Sequence, residues 1–100
     1  MQGINADEFI DSMLDGEASV RYKSCIYRFS GVIYHPARNT YSISIEKYRR
    51  TKEPFEEFIE CVYYVEDEDE NICLDKLTQD ILWDGKTFYQ LEKALQLIDW

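Results

Sequence analysis

The segment "TYSISIEKYR", residues 40–49, alternates strictly, with Tyr41, Ile43 and Ile45 on one parity and Thr40, Ser42 and Ser44 on the other. Successive side chains of a strand point to opposite faces, so a period of two specifies a half-buried β-strand and argues against a helix. Such a strand also demands neighbours, because its backbone N–H and C=O groups must find partners. The preceding stretch, "ASVRYKSCIYRFSGVIYH", is rich in β-branched and aromatic residues that suit a pleated surface. Its parity switches near Ser24 and Cys25, which predicts a bulge there or at Gly31.

"HPARN" reads as a turn, with Pro36 suited to its second position and Asn39 tolerant of left-handed backbone. A turn centred on Ala37 and Arg38 sets Tyr34 opposite Tyr41 and Val32 opposite Ile43, whereas an odd-length turn would flip every side chain. "EPFEEFIECVYYVED" fits two periods: a helix starting at Pro54, or a strand. The β character of "CVYYV" favours a third strand over about Glu57–Val65, since a two-stranded hairpin alone makes a marginal sheet.

Helices are expected on either side. Asn5 can cap the first, with Glu8 completing a capping box and Ile4 against Phe9 as a hydrophobic staple. Phe9, Ile10, Met13 and Leu14 form its apolar stripe, and Gly16 closes it. "ENICLDKLTQDILW" predicts a second helix burying Cys73, Leu77 and Ile81. After the Asp84-Gly85 break, Thr87 and Gln90 form another capping box, and Phe88, Leu91, Ala94, Leu95 and Ile98 an inner stripe. The expected architecture is a single α+β domain over residues 1–100, ordered α-β-β-β-α-α, with the helices packed on one face of an antiparallel sheet.

Charge is unevenly distributed. Residues 1–17 carry five acids and no base, and residues 18–52 carry eight bases against Glu46 alone. Residues 53–100 carry fourteen acids against three lysines, and the net charge is −9. The plainest consequence of this asymmetry is mutual neutralisation across the folded domain. The first residues lack the basic and apolar regions of a signal peptide, and no apolar run approaches the roughly 18 residues of a membrane span. Three cysteines, an odd number, fit a reducing compartment, so a soluble cytoplasmic protein is expected.

Several chemistries are excluded by spacing. An EF-hand begun at Asp67 would need Gly at its sixth position and Glu at its twelfth, where Ile72 and Thr78 stand. Cys25, Cys61, Cys73 and His35 have the composition of a zinc site but none of its close spacing. No phosphate-binding glycine loop, nucleophile elbow or HExxH motif is present, so no cofactor and no metal are expected. A nucleophilic cysteine (Cys25, Cys61 or Cys73), with His35 as its only histidine base, gives an enzymatic alternative.

Two charged regions carry the binding readings. Glu66, Asp67, Glu68, Asp69 and Glu70, with Glu56, Glu57 and Glu60 as a second row, would engage a protein partner with a basic surface. The default for the run itself is a capped, solvated junction between strand and helix. Alternatively, Arg21, Lys23, Arg28, Lys47, Arg49, Arg50 and Lys52, interleaved with tyrosines, would bind nucleic acid. The order α-β-β-β-α resembles a double-stranded-RNA-binding domain, but the start of the second helix is acidic where such a domain is basic. Docking of opposite charges between copies leaves a homo-oligomer open.

The carboxyl-terminal segment "LWDGKTFYQLEKALQLIDW", residues 82–100, resembles the tail of small acidic proteins of phages and mobile elements in Firmicutes, some of which are anti-CRISPR inhibitors. That resemblance implies a stoichiometric inhibitor or adaptor rather than an enzyme. It covers about a fifth of the chain and carries no functional residue across.

Overall fold

The alternating segment becomes an interior strand of an antiparallel sheet, paired along both sides. The computed structural model describes residues 6–14, 16–50, 56–92 and 95–99. Helix α1 (Ala6–Leu14) leads into strands β1 (Ala18–Tyr22), β2 (Cys25–Phe29), β3 (Ile33–His35), β4 (Thr40–Arg50) and β5 (Glu56–Asp67). Helix α2 (Glu70–Gln79), the small hairpin β6 (Ile81–Trp83) and β7 (Lys86–Thr87), helix α3 (Phe88–Leu91) and strand β8 (Gln96–Asp99) complete the chain. The expected α+β class with antiparallel strands is what the chain adopts, with more strands than the sequence pattern suggested.

β4 holds the sheet together. β5 pairs with it along one side, while β2 and β3 both pair with the other. β2 and β3 thus act as one strand interrupted at Ser30–Val32. The interruption is enforced at Gly31, whose φ is +77°. A Cβ there would stand 2.7 Å from the Gly16 carbonyl oxygen and 2.8 Å from that of Met13, so only glycine lets the strand press against the end of α1. β1 pairs with the far side of β2, and β8 pairs with β1 to form one edge. β5 forms the other.

The register at the Pro36 turn is the even one: Tyr34 faces Tyr41, with ring centroids 5.1 Å apart, and Asn39 adopts φ +52°. Val32 falls in the interruption and faces no β4 residue. The parity switch at Ser24 and Cys25 is a hairpin turn instead of a bulge. Tyr22 and Cys25 pair directly, leaving Lys23 and Ser24 to reverse the chain, with Lys23 at φ +55°. The ambiguous segment is a strand, because pairing with β4 satisfies the backbone of "CVYYV".

One face of the sheet is covered. Phe9 and Met13 from α1, Cys73 and Leu77 from α2, and Phe88 and Leu91 from α3 pack on Val20, Tyr27, Phe29, Ile43 and Ile45. Burying an apolar side chain completely contributes roughly 1.5–3 kcal/mol, so Phe9, Phe29 and Phe88, all fully buried, anchor this layer. Phe9 meets Phe29 edge-on at 5.1 Å between centroids and lies nearly parallel to Phe88 at 5.8 Å.

Two helices are shorter than their patterns. α2 stops at Gln79, with the Asp80 N–H bonded to the Lys76 carbonyl, and Ile81 is 57% exposed at the start of a hairpin. The hairpin instead buries Leu82 and Trp83, the latter stacked on Tyr27 at 4.1 Å between centroids. α3 has the anticipated Thr87/Gln90 capping box but spans only Phe88–Leu91. Leu97 belongs to β8 opposite Val20, because the chain gains a sheet edge there that a longer helix would leave unpaired. The expected roles of Ile4, Asn5, Lys52, Pro54 and Ala94, and of the side chains of Leu14, Arg50, Glu56 and Ile98, lie outside the described residues.

Candidate functional site: an acidic groove between the helices

The acidic run is divided among structural tasks. Glu66 ends β5 and accepts from Arg38 Nε at 2.7 Å, from the Thr40 hydroxyl and from the Tyr64 hydroxyl at 2.6 Å. The Arg38 guanidinium and these hydroxyls hold its pKa down to about 2. Asp67 accepts from the Asp69 N–H at 3.0 Å, a local turn. Asp69 is the N-cap of α2 and accepts from the Asn71 N–H at 2.9 Å. Glu68 and Glu70 are exposed and have no side-chain partner among the described residues.

The second row and the basic hairpin neutralise each other in part. Glu57 pairs with Arg49 at 2.8 Å, and Glu60 lies across from Lys47. Glu57 and Glu60 are three residues apart yet face the same way, because β5 slips register against Lys47 and Tyr48. Arg28 reaches Glu17 at 3.5 Å and lies over the Tyr48 ring, and Lys23 pairs with Asp84 at 3.0 Å. These surface pairs are each worth little, but they engage Lys23, Arg28 and Arg49.

Among the described residues, the basic side chains also do not share one face of the sheet. The strand register directs Arg21 and Arg28 away from the helices and Lys47 and Arg49 toward the helix-bearing side, with Lys23 at the hairpin tip. Phosphate tracking needs such charges on one surface. The thiols are dispersed too: Cys73 is buried, its pKa raised chiefly by that burial, while Cys61 is exposed on β5 and Cys25 half-buried on β2. Among the described residues, no group of three His, Cys, Asp or Glu side chains is placed to hold a metal. His35 Nε2 instead lies 2.7 Å from the Ser42 hydroxyl, which is nearly inaccessible at 3% exposure.

The feature that sequence order concealed lies between the helices. Asp7, Ile10 and Asp11 of α1, Leu74, Asp75 and Thr78 of α2, and Tyr89 of α3 line a groove of about 320 Å³. Asp7 and Asp11 are four residues apart, so α1 presents both on one side. Asp75 comes from sixty-four positions further along the chain and lines the same groove from α2. The Tyr89 hydroxyl donates to Asp7 Oδ1 at 3.3 Å, and desolvation followed by the Asp7 charge raises its pKa. No cation among the described residues lies within ion-pair distance of Asp7, Asp11 or Asp75. The groove therefore combines three carboxylates with the apolar surfaces of Ile10, Leu74 and Tyr89, an environment matched to a Lys or Arg side chain. Its stem can lie on the apolar floor while its head meets the acids.

Compared with known proteins, the chain matches no family model, no curated protein and no solved structure. No helix among the described residues is long and apolar enough to cross a membrane.

Proposed function

We propose that this chain is a small non-enzymatic binding protein that engages a basic surface of a protein partner, as an inhibitor or adaptor. The observation that carries this reading is the contrast among its acids. Glu17, Glu57, Glu66 and Asp84 each have a cation of the same chain beside them, whereas Asp7, Asp11 and Asp75 line a groove with no cation at ion-pair distance among the described residues. Carboxylates that no cation of the chain occupies stay open to the cations of a partner. The net charge of −9 would also steer a basic partner in from a distance.

The inhibitor form of the reading draws on the resemblance of residues 82–100 to small acidic phage and mobile-element proteins. The physical action would be competition: carboxylates occupy Arg and Lys sites that otherwise hold phosphates. The test is affinity capture on immobilised protein, washed through a salt series, beside the variant Asp7→Asn/Asp11→Asn/Asp75→Asn. A partner that elutes at moderate salt and is lost on the variant supports the groove. A partner retained equally by both proteins, or insensitive to salt, contradicts it.

A further inference from the structure

β5 is twelve residues long and forms an edge of the sheet, and its outer side pairs with no described strand. Glu57, Phe58, Ile59, Glu60 and Cys61 are all exposed. In a strand, five exposed residues in succession mean that both faces are uncovered. The opposite edge differs: β8 has four residues, and a short edge offers little to pair with.

Natural sheets guard their edges with bulges and charge. β5 has both, since its register slips twice against β4 and it carries Glu56, Glu57, Glu60, Glu66 and Asp67. These charges are all of one sign, and β5 contains no Lys or Arg. Such an edge repels a second copy of itself but attracts a basic strand. The side chains sort by face as well. Phe58 faces Tyr48, with ring centroids 5.6 Å apart, and Tyr64 lies beside Ser44, both on the face away from the helices. They are 52% and 53% exposed. Glu57 and Glu60, opposite Arg49 and Lys47, point the other way.

We infer that β5 receives an extended segment of a partner protein in which apolar residues alternate with Lys or Arg, added to the sheet as a further strand. Main-chain hydrogen bonds to the bare edge supply affinity. The apolar residues of the segment lie beside Phe58 and Tyr64, and a cation lies beside Glu60, which has no ion-pair partner among the described residues, whereas Glu57 is held by Arg49; this fixes the register. The inference shares with the proposed function only the basic character of the partner. Its surface is separate from the groove, so the two can fail independently.

The probe is a fluorescent, N-acetylated heptapeptide, Lys-Val-Lys-Tyr-Lys-Val-Lys, titrated by anisotropy at low salt. A second peptide of the same sequence is N-methylated on alternate residues, which removes one edge of donors while preserving charge. The expected result is binding by the first peptide and a loss of about tenfold or more with the second. Binding persists on Asp7→Asn/Asp11→Asn/Asp75→Asn and weakens on Glu60→Lys and on Phe58→Ser/Tyr64→Ser. Amide exchange at Glu57–Cys61 slows in the complex. Absence of binding, equal binding of the two peptides, or loss on the groove variant alone overturns the inference. Because the N-methylated peptide leaves the protein unaltered, no folding defect can imitate its effect.

Discussion

Two acidic regions of this chain are made of the same residue types and do different work. Residues 66–70 are five consecutive acids, yet Glu66, Asp67 and Asp69 are spent on an ion pair, a turn and a helix cap. Asp7, Asp11 and Asp75 are scattered in sequence, yet they line one groove without a counter-charge among the described residues. Density along the chain therefore measures how much charge a junction must satisfy. Availability to a partner depends on which cations the fold brings alongside, and that is a tertiary property.

The sharpest way to break the comparison is to unseat α1, which carries two of the three groove acids. Gly31→Ala forces a Cβ against the Gly16 and Met13 carbonyls at a left-handed backbone position. It is expected to cost about 3 kcal/mol in urea denaturation from backbone strain and overpacking. A cost under about 1 kcal/mol would show that α1 is not held there.

The next largest effect separates the regions by pH. Because the folded Glu66 carboxyl titrates near 2 and an ordinary glutamate near 4.5, the folded state binds this proton less readily than the unfolded one. Its stabilisation is complete above the unfolded value and is lost as pH falls through about 2. Glu66→Gln should lower the thermal midpoint at neutral pH and flatten the decline in stability across that acid window. An unchanged acid limb would mean that the Arg38 pair does not form in solution.

A smaller change tests the helix junction. Asp69→Ala removes the N-cap of α2 and should cost about 1 kcal/mol, with no effect on groove binding. The smallest is Glu68→Gln/Glu70→Gln, both exposed side chains, which should leave stability within about 0.5 kcal/mol of the starting protein. A larger loss from this pair would blur the distinction between the two regions.

What could be read in advance follows the range of the interactions involved. Period-two alternation set β4, and turn chemistry placed the Pro36 turn, because both act over a few residues; the parity of that turn, and with it the Tyr34–Tyr41 register, was open between an even and an odd length. The Thr87/Gln90 box was legible for the same reason. The length of α3 was not, since the pairing of β8 with β1 joins segments some seventy-five residues apart. Ile81 looked helical because its spacing from Leu77 and Cys73 is four and eight, but the chain turned into a hairpin to bury Trp83 on Tyr27. In the sequence Asp7 and Asp11 stood only among the five acids of residues 1–17. Nothing local announced that Asp75 and Tyr89 would complete their groove.

The most direct test of the contrast is a crossover between two variants, each followed by thermal unfolding and by binding to a captured partner at low salt. One is Asp7→Asn/Asp11→Asn/Asp75→Asn and the other is Glu66→Gln/Glu68→Gln/Glu70→Gln. The account predicts that the groove variant loses about tenfold or more in affinity while its midpoint holds or rises. It predicts that the junction variant keeps its affinity while its midpoint falls. Affinity lost on the junction variant and kept on the groove variant would contradict the account and return the binding site to residues 66–70.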